Sequence, residues 1–248
     1  GKAHTAERAS TVSPPGCDVD ACIIGLEGSS KDLRACLPFD KAISATIDWG
    51  DGTVEEVTEA YPKHTYTDPD YYVVSVKGTV PSINCSGANL TSYNQIYQYK
   101  EIFNWGRTGL KSMTGAFSGC SYLERIVTDQ TGAFTDITDF SNAFYGWTVL
   151  EEIPAGLLDN ATEVTSLNYT IYNSKAVNKL PKDLLKKSTK LKEASNAFAN
   201  TGLTVVDENL FAPCTVIEDC SSLFTAAQLQ TVPEKLFANN PEITAFTA

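Results

Sequence analysis

Residues 139–165, DFSNAFYGWTVLEEIPAGLLDNATEVT, and residues 166–192, SLNYTIYNSKAVNKLPKDLLKKSTKLK, decide the fold, because the second segment rewrites the first in the same frame. Working outward, the frame also fits SMTGAFSGCSYLERI (112–126), EASNAFANTGLTVVDENLFAPCTVIE (193–218) and DCSSLFTAAQLQTVPEKLFANNPEIT (219–244). Apolar residues then fall into columns. Phe117, Phe144, Ile171, Phe198 and Phe224 are spaced 27, 27, 27 and 26, and Leu123, Leu150, Val177, Leu203 and Leu229 follow at 27, 27, 26 and 26. A fixed period of this size denotes one supersecondary unit per turn, each unable to bury its apolar face without its neighbours. The expectation is a stack of about five coils of 26–27 residues over 113–248. Phe-Ser-Asn-Ala-Phe reads as a short helical turn and Val-Leu-Glu-Glu-Ile as a short strand. Pro154, Pro181 and Pro233 read as the first residue of a second short helix, where a missing N–H costs nothing.

Ahead of the repeats the pattern changes. Residues 1–18 are polar, broken by Pro-Pro-Gly, and read as a flexible tether. Residues 19–83 carry short alternating runs, ACIIGLEG, AISATIDWG and YYVVSVKG, bounded by Gly, Asp or Pro, which is the pattern of an all-β sandwich. Residues 84–112 read as a junction with an incomplete opening coil, where Ile102, Phe103 and Trp105 are expected to seal the first face of the stack.

Ile47-Asp48-Trp49-Gly50-Asp51-Gly52-Thr53, followed by His64-Thr65-Tyr66 and YYVVSVKG, resembles a PKD-type immunoglobulin-like domain. The AFSGC, AFYGW, LEEIP and VPEKLF elements resemble the BspA-like leucine-rich repeats of bacterial surface proteins. The resemblance implies a multi-domain chain: an N-terminal all-β PKD-like sandwich, then an α/β leucine-rich-repeat solenoid. It further implies display outside the cell, peripheral to a membrane through a lipidated cysteine preceding this sequence. The activity it implies is adhesion or binding of a host or microbial protein or glycan. Capture of glycans for polysaccharide uptake and a purely structural spacer are the alternatives.

Composition narrows the partners. A net charge of −11 argues against nucleic acid, whose binding is driven by Lys and Arg neutralising phosphates. No apolar run approaches the ~18 residues of a membrane helix. Of the seven cysteines, Cys120 and Cys220 stand in or beside core columns and read as small buried hydrophobes. Cys17, Cys22, Cys36 and Cys85 could form disulfides in pairings that spacing leaves open, and none of the spacings matches a zinc site. Neither metal nor cofactor is expected.

Catalytic motifs are absent: there is no GxSxG, HExxH or phosphate-cradling glycine loop. The two histidines are His4 in the tail and His64 in the HTY element, which reads as a strand-end residue with a hydrogen-bonded ring. A Ser or Asp within reach of His64 in a cleft would reopen an enzymatic reading. Two features of the repeats could bind a ligand. Tyr145 and Tyr172 occupy one column on neighbouring coils, with Trp147 and Tyr169 close by. They form either an exposed aromatic shelf or a cap on the core. Seven of the nine basic residues after Met113 cluster at 175–192. At the repeat spacing Lys179, Lys182, Lys190 and Lys192 face Glu152, Glu208, Glu163 and Glu218, a complementary ladder. Lys175, Lys186 and Lys187 remain as candidates for a basic patch. Phe246 opens a further coil, and an uncapped C-terminal coil predicts weak self-association.

Overall fold

The computed structural model describes residues 18–86 and 95–248. Cys17, His4 and nearly all of the expected tether lie outside the described residues.

Residues 22–104 build two antiparallel sheets. Strands β1 (Cys22–Gly28), β3 (Ser44–Asp48), β4 (Val54–Val57), β6 (Asp70–Thr79) and β7 (Tyr99–Asn104) form an open sheet in the order β4-β3-β6-β1-β7. Strands β2 (Arg34–Cys36) and β5 (Lys63–Thr65) pair separately. Alternation sets the faces: in β3, Ala45 and Ile47 are buried while Ser44 and Asp48 are exposed. The β3–β4 turn is made by Asx contacts, with the Gly50 N–H donating to Asp48 Oδ1 and the Thr53 N–H to Asp51 Oδ1. Gly50 has φ of 82°, and a Cβ there would stand 2.6 Å from the Val73 carbonyl oxygen, so only glycine fits. Trp49 is wholly buried, and the Tyr66 hydroxyl donates to its carbonyl at 2.8 Å.

β7 works on both edges. One edge pairs with β1, while on the other the Ile102 N–H donates to the Arg125 carbonyl and the Glu124 N–H to that of Lys100. Ile102 and Trp105, 1–2% exposed, join the core that runs into the repeats, whereas Phe103 is equally buried but packs with Ala21, Ile23 and Tyr71 in a separate cluster and does not seal the stack. A second join runs through residues 80–85, which bridge Ser82 to Ser112 in parallel and carry the Cys85 N–H to the Gly115 carbonyl. A single hydrophobic core continues from Leu26 and Trp49 to Phe224 and Leu236.

The α/β leucine-rich-repeat solenoid expected for 113–248 does not form. No α-helix occurs among the described residues. The sole helical element among them is a 3-10 turn, η1 (Gln95–Tyr97), and regular strand beyond residue 112 is limited to β8 (Asp219–Cys220) and β9 (Ala245–Phe246). The molecule is nearly all-β with open sheets. The reason lies in two sets of residues in left-handed backbone. Gly115, Asn142, Tyr169, Asn196 and Ser222 have φ of 52–67°, and Gly119, Gly146, Asn173, Asn200 and Ala226 have φ of 53–78°. Each interrupts a nascent helix after a few residues.

What replaces the helix is a run of overlapping turns. Within 140–146, the Ala143 and Tyr145 N–H groups close three-residue turns onto Phe140 and Asn142. The Phe140, Asn142, Phe144 and Gly146 N–H groups instead cross to Ser166, Asn168, Thr170 and Tyr172. Alternate amides are thus satisfied within a repeat and between repeats, as buried backbone requires. Pro154, Pro181 and Pro233 likewise open turns, their carbonyls accepting from Leu157, Leu184 and Leu236. Parallel bridges Asp139 to Ser166, Ser166 to Glu193 and Glu193 to Asp219 hold neighbouring repeats in register, and Glu152 to Lys179 does so on a second line.

Asp129 replaces the proline turn in the first repeat. Its carboxylate accepts from the Thr131, Ala133 and Phe134 N–H groups at 2.9–3.1 Å, while its carbonyl accepts from Asn160 Nδ2.

Candidate functional site

Tyr145 and Tyr172 are brought together by the register just described. The Phe144 and Gly146 amides, on either side of Tyr145, reach the carbonyls of Thr170 and Tyr172 at 2.9 Å. The two rings consequently stack, with centroids 5.4 Å apart and planes 21° from parallel. Tyr169 meets Tyr172 edge-on at 5.2 Å and 62°. Both geometries suit the ring quadrupoles. Tyr145 and Tyr172 are half-buried and Tyr169 is 38% exposed. The three rings therefore make a shelf that water reaches from one side.

Trp147, expected beside these rings, is not part of the shelf. It is wholly buried, its Nε1 donates to the Phe117 carbonyl at 3.0 Å, and its ring packs 4.9 Å from Phe144. The turn at Gly146, with φ of 78°, reverses the chain and sends Trp147 into the core.

Amide side chains border the shelf. Asn200 Nδ2 donates to Asn173 Oδ1 at 2.5 Å, and Asn168 Nδ2 donates to Glu193 Oε2 at 2.8 Å. Tyr169 adds a backbone feature: it holds φ of 57° in a column otherwise filled by Gly, Asn and Ser. A bulky residue there costs roughly 1–2 kcal/mol, and strain of this kind collects at functional surfaces.

The lysines divide differently from the sequence expectation. Lys190 pairs with Glu163 at 2.5 Å, one of the four contacts expected, but no ion pair joins Lys179, Lys182 or Lys192 to its expected glutamate. The backbone register still places Lys179 beside Glu152 and Lys192 beside Glu218. Lys186 is not a free member of a basic patch, because Asp159 lies 3.2 Å from its Nζ. Lys175 and Lys187 are exposed without an ion pair among the described residues, and they sit on different turn segments of the repeat.

His64 is held firmly. Its Nε2 lies 2.7 Å from Asp51 Oδ2, its ring stacks on Trp49 at 4.9 Å, and Tyr66 approaches edge-on at 4.7 Å. Asp51 is pushed up by partial burial, but the hydrogen bonds from His64 and Thr53 outweigh this and its carboxyl sits below the usual range. An aspartate is thus within reach of the ring. No hydroxyl or thiol is hydrogen-bonded to the ring among the described residues. What the pair does is tie the β3–β4 turn to β5.

Sequence reasoning missed a second aromatic pair. Tyr97 and Tyr122, 45% and 50% exposed, meet edge-on at 5.7 Å, with Lys100 Nζ 4.9 Å above the Tyr122 ring and 3.4 Å from Glu27. Tyr97 lies outside the repeat, so no spacing in the sequence could have linked the two. No group of three or more His, Cys, Asp or Glu side chains is arranged to hold a metal among the described residues.

Neither a protein-family model nor a curated protein sequence matches the chain.

Proposed function

We propose that this protein is a non-enzymatic binding module, displayed outside the cell, that recognises a protein or a glycan through the repeat surface. The shelf of Tyr145, Tyr172 and Tyr169 is the observation that carries this reading. Stacked rings with one open face offer a flat apolar platform of the kind that takes a sugar ring or an anchoring side chain of a partner protein. The strained backbone of Tyr169 supports the same reading, since Asn or Gly would hold that turn at lower cost.

The test is binding of the whole chain to immobilised glycans and to extracellular-matrix proteins, with Tyr145→Ala and Tyr172→Ala as variants. Both rings are only half-buried, so the variants are expected to keep the far-ultraviolet circular dichroism of the parent and to bind at least roughly tenfold more weakly. A signal confined to polysaccharides would assign a role in glycan capture. Undiminished binding by both variants overturns the shelf as the site, and absence of any ligand would leave a spacer as the better account.

A further inference from the structure

The sulfur atoms of Cys85 and Cys120 lie 3.3 Å apart with both residues wholly buried. Cys85 ends the segment 80–85, which joins the N-terminal sheets to the first repeat, and its N–H donates to the Gly115 carbonyl. Cys120 closes the turn that begins at Phe117, so both backbones are anchored by hydrogen bonds. Cys36 is occupied otherwise, its sulfur lying 3.8 Å from the carbonyls of Leu37 and Tyr61.

We propose that Cys85 and Cys120 form a disulfide when the protein folds under oxidising conditions, clamping the first repeat to the N-terminal sheets. Approach by about 1.2 Å would bring the two sulfurs to bonding distance, which small χ rotations supply. The oxidant is a small-molecule disulfide of the glutathione type. One cysteine thiolate attacks it and displaces a small thiolate. The second cysteine thiolate then attacks the protein sulfur of the mixed disulfide and expels the other. One small disulfide is consumed, two small thiols are released, and the two cysteine protons leave with them. Burial also raises the Cys85 thiol well above its ordinary value, which suppresses attack once the core has closed. Exchange therefore belongs to folding, and the finished bond is shielded from reductants.

The experiment is refolding of the whole chain from denaturant in a mixture of oxidised and reduced glutathione, followed by digestion without reduction and mass spectrometry. A cross-linked peptide pair carrying Cys85 and Cys120 is expected, lighter by two hydrogens than its separate halves. Protein refolded with reductant is expected to melt roughly 5–15 °C lower than the oxidised form. Cys85→Ala and Cys120→Ala should each abolish that difference, whereas Cys214→Ala should retain it. If either variant fails to fold, the peptide map of the parent chain decides alone. Free thiols at both positions after oxidative refolding, or a cross-link from either to another cysteine, would overturn the proposal.

Discussion

Ala226 and Tyr169 show what a single residue costs in this fold. Both occupy left-handed backbone, with φ of 58° and 57°, in columns where Gly and Asn otherwise recur. Ala226 is exposed, so it has no packing to lose. Ala226→Gly removes a steric cost of roughly 1–2 kcal/mol and adds roughly 0.4–1 kcal/mol of unfolded-chain entropy. A net gain of about 0.5–1 kcal/mol is expected, read from the urea midpoint at constant m; a loss of stability would show that the turn tolerates alanine without strain. Buried thiols set a pH limit at the same scale. Burial pushes Cys22 up to about 12 from 9.0, so the folded state holds this proton more tightly than the unfolded one. Its contribution is fully present below pH 9 and is lost as the pH rises towards 12, by at most about 1.4 kcal/mol per unit. The buried phenols of Tyr66 and Tyr99 are raised in the same direction. Urea denaturation across this range should show falling stability, with a shallower slope for Cys22→Ala; an unchanged slope would remove Cys22 from the account.

Among the repeated elements, the third adjoins a small partly open space. Phe117, Phe144, Phe198 and Phe224 share a column with Ile171, whose smaller side chain leaves a cavity of about 20 Å³. Phe144, Leu157, Leu167, Leu184 and Phe198 line it. At roughly 24 cal/mol per Å³ the void costs about 0.5 kcal/mol. Ile171→Phe is expected to recover an amount of that order, measured by thermal and urea denaturation. Destabilisation by more than about 1 kcal/mol would mean that the turn at Tyr169–Asn173 cannot open to admit the ring. Phe198→Ala should go the other way, by roughly 3–5 kcal/mol, because it enlarges the same space.

Over the whole molecule, β7 and residues 80–85 leave no weak seam. β7 pairs with β1 on one edge and with the first repeat on the other, and one apolar core crosses the junction. Separating the halves would expose Ile102 and Trp105 and break both lines of backbone hydrogen bonds. A single cooperative unfolding transition is therefore expected. With Trp105→Phe and Trp147→Phe in place, fluorescence reports on Trp49 in the N-terminal sheets alone. Its urea curve should coincide with that of a second variant carrying Trp49→Phe and Trp105→Phe, whose remaining indole, Trp147, is buried in the repeats. Two separated midpoints would show that the halves unfold independently.

Neighbours from one repeat to the next can be read directly from the amino-acid order. Apolar columns and the 26–27 residue step specify that pairing, since a side chain such as Phe144 can be buried only against its counterparts. This made the Tyr145–Tyr172 contact legible, along with Lys190 and Glu163. Only the tertiary structure decided the backbone between the columns. Helix and successive turns place apolar residues at nearly the same spacing, and the choice depends on φ at Asn142, Tyr169 or Ala226, which residue type biases without dictating. It also decided that Trp147 turns inward, that Tyr97 meets Tyr122 and that Cys85 meets Cys120. These contacts join residues related by no period, so their proximity exists only once the chain has closed its junction.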